Sequence, residues 1–482
     1  MFYLNHSIMQ SLRKYIGRVA WVSAFVLLAT GCNLTDTNID PTRIAEVELR
    51  LALPNVLSQA AYNQSAMPAR ITGIVMQHFE GFDAQQVAYT SYVIEESDMN
   101  NYWRTGLYAG VLKDADVLIK QGIAEEQPYY VGIGKTIMAM SYGMAASFFG
   151  DIPFSQALQG VDNLKPGYDT QEQVYTGIQT MLDEAIAELQ KAAVPGGPES
   201  DDLVYGGDAD AWIATARALK ARFYMHLTRR DAQNAGRALE QLRAGTYTSL
   251  AEQSNFTWEA SLTANNPLAK FGLERPKTLI IAPTFKNHLE ASADPRMSKY
   301  MVDDGSGTFL YFSSGNTDLY WAQNTSSIPL ISYVEVKFIE AEALLWTGAD
   351  DAAIETALRE AIIASMEQMG IAAADYEAYV NANSTLANLG SVEAKLEKIM
   401  TEAWVAYFGY GFQQAWTNYL RTGYPALTPN PNGANGVNPS GVIPRRFLYP
   451  ISESQTNSVN VEAARARQGG DLLDVSTWAF KP

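Results

Sequence analysis

Carboxylates, histidines and arginines are the groups in this 482-residue chain with acid–base or covalent chemistry to offer, so their spacing comes first. Glu335, Glu340 and Glu342 fall in one stretch that reads as a helix. Glu335 and Glu342 share a face but are separated by about 10 Å of axial rise. A retaining glycosidase needs its two carboxyl groups about 5–5.5 Å apart, so the spacing predicts pairing with Lys337 or neighbouring arginines instead. Beyond residue 31 the histidines are His78, His226 and His288, none spaced with another as metal ligands or a catalytic pair. There is no Gly-x-Ser-x-Gly elbow. Gly134-Lys135-Thr136 resembles the end of a phosphate-binding loop, but Tyr129 stands where that loop needs its first glycine. Asp208 and Asp210 ahead of Trp212 read as a helix start. Glu95, Glu96 and Asp98 have oxygens of the kind that hold calcium, and also read as a solvated acidic face. The chain is therefore expected to be no enzyme and to use no cofactor or metal; an exported hydrolase built on scattered carboxylates is the alternative.

Binding chemistry is better represented. Sugar rings present apolar C–H faces that stack on aromatic side chains, while amides and charged groups bond their hydroxyls. Three segments mix the two kinds of residue: Phe79–Tyr92, Asn100–Arg104 and Tyr311–Gln323. From them the candidate ligand-binding residues are Phe82, Tyr89, Tyr92, Asn101, Trp103, Tyr311, Tyr320 and Trp321. Trp103 reads equally well as a core anchor for the helix after it. Tyr320 and Trp321 are adjacent, so in a strand they face opposite ways and only one would line a site. Trp212, Trp404 and Trp416 belong to amphipathic segments and are expected in the core.

Cys32 is the one cysteine, which excludes an intramolecular disulfide, a multi-cysteine zinc site and an iron–sulfur cluster. It is left as a buried thiol, a nucleophile or a site of covalent modification. Upstream, Arg13, Lys14 and Arg18 precede an uncharged apolar run, Val19–Ala29. That run is shorter than the about 20 residues a membrane-spanning helix needs, and it ends in small residues, as a secretory signal does. Ala29-Thr30-Gly31-Cys32 resembles the lipobox of bacterial lipoproteins, although the leucine is Leu28, one step earlier than usual. That resemblance implies an acylated Cys32 held in outer-membrane lipid. The expected organisation is a signal peptide over 1–31, an acylated cysteine and tether over 32–41, and one nutrient-binding domain over 42–482. Without residues 1–31 the chain has 32 basic and 52 acidic residues, a net charge of −20. Such a surface argues against nucleic acid and against electrostatic docking on anionic lipid.

The elements that must position these residues are mostly helices. In Tyr333–Trp346 the apolar residues Val334, Phe338, Ala341 and Leu345 fall on one face. Thr347-Gly348 ends that helix, and Asp350 caps the next, Asp351–Ser365. Trp212–Arg230 with Ala232–Arg243 has the same hairpin shape, and Val131–Phe149 with Gln173–Ala192 forms a third. Glu393–Phe408 is another amphipathic helix. Thr308–Ser314 and Thr317–Trp321 are expected as a β-hairpin turning at Gly315-Asn316, and Gly423–Pro444 as loop.

Five segments together resemble the SusD/RagB family, in its SusD-like branch. They are Phe149-Gly150-Asp151-Ile152-Pro153-Phe154; Trp212–Arg222; Ile328–Ala343; Trp404 through Trp416, Arg421, Gly423 and Pro425; and Ile443-Pro444-Arg445-Arg446-Phe447 with Tyr449-Pro450, Glu453 and Asn457. They occur in the family's order behind Cys32. The resemblance implies a mostly α fold, a tetratricopeptide-like helical-hairpin scaffold with irregular, loop-rich, ligand-facing insertions. It implies that Arg421, Arg445 and Arg446 are structural. It also implies a cell-surface lipoprotein that binds an oligosaccharide, or a peptide, and delivers it to a SusC-like TonB-dependent transporter.

Overall fold

The computed structural model describes residues 47–261 and 263–481, so Cys32 and the signal and tether expected over 1–41 lie outside the described residues. Helices dominate, and the hydrogen-bonding side chains at their starts explain where several begin. Ser332 accepts the Glu335 N–H at the head of the Tyr333–Trp346 helix. Asp350 accepts the Ala353 N–H and Asp208 those of Asp210 and Ala211. Thr170 and Gln173 form a reciprocal capping box. Each such cap contributes about 1 kcal/mol.

The labels used below are α1 (Leu49–Ser65), α2 (Met67–Val75), α3 (Lys113–Ala124), α4 (Pro128–Phe149), α5 (Gln171–Leu189), α6 (Ala209–His226), α7 (Gln233–Arg243), α8 (Tyr333–Trp346), α9 (Asp351–Glu367), α10 (Val392–Ala406) and α11 (Phe412–Thr422). The three expected hairpins are α4 with α5, α6 with α7, and α8 with α9; all three form, and α5 packs on α6 and α7 on α8 to chain them. The apolar stripe of α8 is buried as its spacing requires. Between the second and third hairpins lies a core of Ala221, Met225, Ala235, Ala238, Leu239, Ile339 and Ala343. Its alanines let the helix axes approach closely, the usual role of small residues in stacked helical repeats. Gly143 does the same between α4 and α6: a Cβ there would sit 2.2 Å from the Phe223 ring. α6 stops at His226, four residues before the expected end, where its backbone tightens into a turn, with Leu227 N–H bonding Tyr224 O.

The helical hairpins carry an irregular half. It contains three two-stranded antiparallel ribbons: Phe79–Gly81 with Leu279–Ile281, Asn255–Phe256 with Ile328–Pro329, and Val302–Asp303 with Phe309–Leu310. The hairpin expected over 308–321 does not form. Phe309–Leu310 pairs backwards with Val302–Asp303, and Tyr320–Ala322 is one turn of 3₁₀ helix. The reason is burial: the Trp321 ring packs 4.7 Å from that of Tyr410. It also lies over Gly409, whose φ of +92° and missing Cβ make the space. Gly423–Pro444 is loop as expected, braced by the Asn438 amide donating to Gly433 O and Val442 O. No described helix is long and apolar enough to cross a membrane.

Candidate functional site

A helix break shapes the site. α1 ends at Ser65, and Ala66 takes a non-helical conformation (φ −89°, ψ −129°). Pro68 in the first turn of α2 needs no N–H partner, so the chain restarts as helix in a new direction. Facing this corner is a wide-turn π-helix, Tyr102–Leu112, a form found mostly at functional sites. Asn63 ties the two together: its amide donates to Gly106 O at 2.8 Å and accepts from Gln59 at 2.9 Å.

Between them opens a cavity of about 450 Å³, lined among others by Gln59, Tyr62, Asn63, Arg70, Asn101 and Thr105. Tyr62 is 51% exposed, and neither its hydroxyl nor the Asn101 side-chain amide has a protein partner. Arg70 lies at the back, its guanidinium 4.1 Å from the centre of the Phe271 ring. Burial lowers its pKa and the surrounding phenols of Tyr311, Tyr62 and Tyr89 oppose that fall; an arginine remains charged throughout. On the far side of Arg70 a second cavity of about 170 Å³ is lined by Gln85, Gln86, Tyr89, Phe271 and Arg275. The two form one groove that offers an exposed aromatic face, free amides and a cation.

Of the sequence candidates, Asn101 lines the larger cavity and Tyr89 the smaller. Tyr89 is nonetheless 2% exposed, and its hydroxyl donates to Asp98 at 2.9 Å. Phe82 is 57% exposed on the surface, just beyond the Phe79–Gly81 strand. Tyr92 is buried and lines a separate cavity of about 350 Å³ under the Ala426–Pro431 loop, where its hydroxyl accepts from Asn430 N–H. Three candidates are interior residues whose faces are already covered. Trp103 packs edge-on against Phe149 and donates to Glu453 at 3.1 Å, the core-anchor alternative. Tyr311 packs on Phe79 and donates to Leu268 O. Trp321 packs on Tyr410, with Tyr320 half-buried beside it. Sequence reasoning missed Tyr62, Arg70 and Arg275. The run Tyr62-Asn63-Gln64 carried the right mixture of aromatic and amide, but it reads as helix interior until the corner at Ala66 exposes it.

The carboxylates proved to be structural. Glu335 takes a bidentate pair from Arg222 at 2.6 and 2.7 Å, and Glu342 one from Arg421, all four residues buried. Glu340 pairs with Lys337. Asp98 is occupied by Tyr89, Gln85 and the Glu95 N–H, and Glu96 pairs with Arg465. No group of three His, Cys, Asp or Glu suited to a metal occurs among the described residues. Arg446 pairs with Asp471 at 3.0 Å, and Arg445 bonds Leu473 O through its N–H. In the Phe149–Phe154 signature, Asp151 accepts from Gln171 N–H and Arg467. These motifs hold the fold together.

Fold and site together define a helical-hairpin binding scaffold with an open groove on its irregular half. More particularly, the chain belongs to the SusD-like family described as "Starch-binding associating with outer membrane", whose model matches residues 41–450. Its members are non-catalytic, and so is this protein. Among solved structures it is similar to a SusD/RagB family protein from Bacteroides thetaiotaomicron, at 23% identity over 90% of this chain and 99% of that one, with a TM-score of 0.75. A SusD homologue from Bacteroides uniformis matches at 22% identity, 89% and 99% coverage and a TM-score of 0.74. A chitin-binding SusD homologue from Flavobacterium johnsoniae matches at 22% identity, 89% and 98% coverage and a TM-score of 0.73. No curated protein matches the chain.

Proposed function

We propose that this is a lipid-anchored, outer-membrane protein of the cell surface that captures an oligosaccharide in the groove over Arg70 and passes it to a SusC-like TonB-dependent transporter. The observation that carries the reading is the groove itself: exposed Tyr62, the unengaged Asn101 amide and the Arg70 guanidinium converge on about 450 Å³ of open space. A ring stacked on Tyr62 would bring its hydroxyls to those amides, the combination sugar sites use. The fold shared with a chitin-binding homologue supports a glycan over a peptide. Acylation at Cys32 supplies the anchor, since buried acyl chains contribute about 0.8 kcal/mol per CH₂ and more than one chain is needed for stable attachment.

The test is calorimetric titration of the protein with panels of oligosaccharides and peptides, repeated on Tyr62→Ala and Asn101→Ala. Binding of a glycan that falls at least about tenfold in both variants, at unchanged melting temperature, is the expected result. A peptide ligand in place of a glycan, or glycan binding indifferent to both substitutions, overturns the reading. Purification of the membrane-extracted protein with its transporter tests the delivery step.

A further inference from the structure

The deeply set arginines of this protein follow one rule, and Arg70 breaks it. Arg222 is paired with Glu335, Arg296 with Asp294 and Glu402, Arg421 with Glu342, and Arg446 with Asp471. Arg70 has no carboxylate and no hydrogen-bond acceptor among the described residues, and its Nε is buried without a partner. Phe271 covers one face of the guanidinium, which a cation–π contact stabilises by about 1 kcal/mol but which satisfies none of its N–H groups. Acidic residues are not scarce: the chain has 52 of them and a net charge of −17. Yet no Asp or Glu lines either cavity of the groove, whereas a second arginine, Arg275, lines the smaller one, also without an ion-pair partner. The two cations are near enough for Arg275 to depress the pKa of Arg70. Holding two like charges beside a partly dry groove is unfavourable unless something negative sits between or upon them.

We propose that the groove is built for an acidic glycan: an anionic oxygen group of the oligosaccharide, a carboxylate or a sulfate ester, sits on Arg70 and Arg275 at the junction of the two cavities. The inference rests on the oligosaccharide-binding reading above and specifies its substrate class. Guanidinium groups match planar or tetrahedral oxyanions through two parallel N–H donors. The rest of the groove meets what surrounds such a group on a sugar. Tyr62 offers a face for the ring, and Gln59 and Asn101 offer amides for hydroxyls. An extended acidic peptide is less well served, because it binds through main-chain bonds to a free strand edge. The larger cavity is walled instead by α1, α2 and the π-helix, whose backbone groups are bonded within the helices.

The experiment titrates the full-length, detergent-extracted protein with four probes: tetragalacturonate, its carboxyl-reduced neutral counterpart, a chondroitin sulfate tetrasaccharide, and a poly-glutamate peptide. An acidic tetrasaccharide should bind about tenfold to a hundredfold tighter than the neutral one, the worth of one charge-assisted contact. Its binding should also weaken as NaCl is raised, because the charges at the mouth are screened. The galacturonate and sulfate arms distinguish the two anion sources. Arg275→Gln, at an exposed position, should weaken the acidic ligand several-fold and flatten its salt dependence without altering the melting temperature. Arg70→Gln should weaken it at least tenfold, with Arg70→Lys restoring part. Neutral and acidic sugars binding equally, lost in Tyr62→Ala but indifferent to both arginine substitutions, would overturn the charge inference and leave the sugar-binding function standing. Binding of the peptide and of no glycan would overturn both.

Discussion

The buried pair between Arg222 and Glu335 bolts α6 to α8, and removing half of it makes a sharp test of how this scaffold is held. Both side chains are 4% exposed, and two parallel hydrogen bonds of 2.6 and 2.7 Å join them. Glu335→Leu replaces the carboxylate by an apolar group of similar volume. The guanidinium then keeps a single acceptor, Leu330 O at 3.2 Å. Stranding one partner of a buried pair costs about 3–5 kcal/mol, out of a total stability of about 5–15 kcal/mol for a typical domain. Arg222→Met combined with Glu335→Leu removes both desolvation penalties and should recover most of that loss. Equilibrium unfolding in urea measures all four corners of the cycle, and the folded Glu335→Leu protein should bind its ligand with unchanged affinity, because Glu335 does not line the groove. A single-variant loss below about 1 kcal/mol, or a double variant as unstable as the sum of the singles, would refute the assignment of this pair as a stranded-charge clamp.

Acid should destabilise the protein through two interior histidines. Burial depresses the pKa of His78 and of His226 to about 3 in each case, while in the unfolded chain a histidine titrates near about 6.5. Between those values the unfolded state binds more protons, so stability is fully present above about pH 6.5 and falls as pH drops toward 3, by about 2 kcal/mol per histidine at pH 5. Urea midpoints at pH 7.5 and 5 report the loss, which His78→Gln should reduce; a midpoint that is flat over this range contradicts it. Trp321→Ala should lower stability by about 3–5 kcal/mol, whereas Tyr320→Ala, half-buried beside it, should cost far less; thermal melts with similar losses for both would place the two rings in one environment. Cys32→Ala should abolish acylation and move the protein out of the membrane fraction, and unchanged fractionation would remove the lipid anchor from the proposal.

Local chemistry was legible before any coordinates. The helices of the three hairpins follow from apolar spacing and from Ser, Thr and Asp caps, which act over four residues or fewer and so are written in neighbouring letters. Val334, Phe338, Ala341 and Leu345 in α8 are buried as their spacing requires. The separation of Glu335 and Glu342 along one helix excluded a glycosidase pair for the same reason: on a helix, sequence distance is spatial distance. Five ordered segments sufficed to point to the family.

Long-range contact decided the rest. Trp103, Tyr311 and Trp321 have the composition of a sugar platform, but partners 46, 232 and 89 residues away in sequence (Phe149, Phe79 and Tyr410) cover their faces. Whether an aromatic ring is a platform or a core residue depends on what lies across from it, which no local pattern encodes. Tyr62 and Arg70 became a site because the chain turns at Ala66 and a π-helix faces the corner. The same logic separates the arginines: their type is in the sequence, but the presence of a carboxylate beside Arg222 and the lack of one beside Arg70 are properties of the packed fold alone.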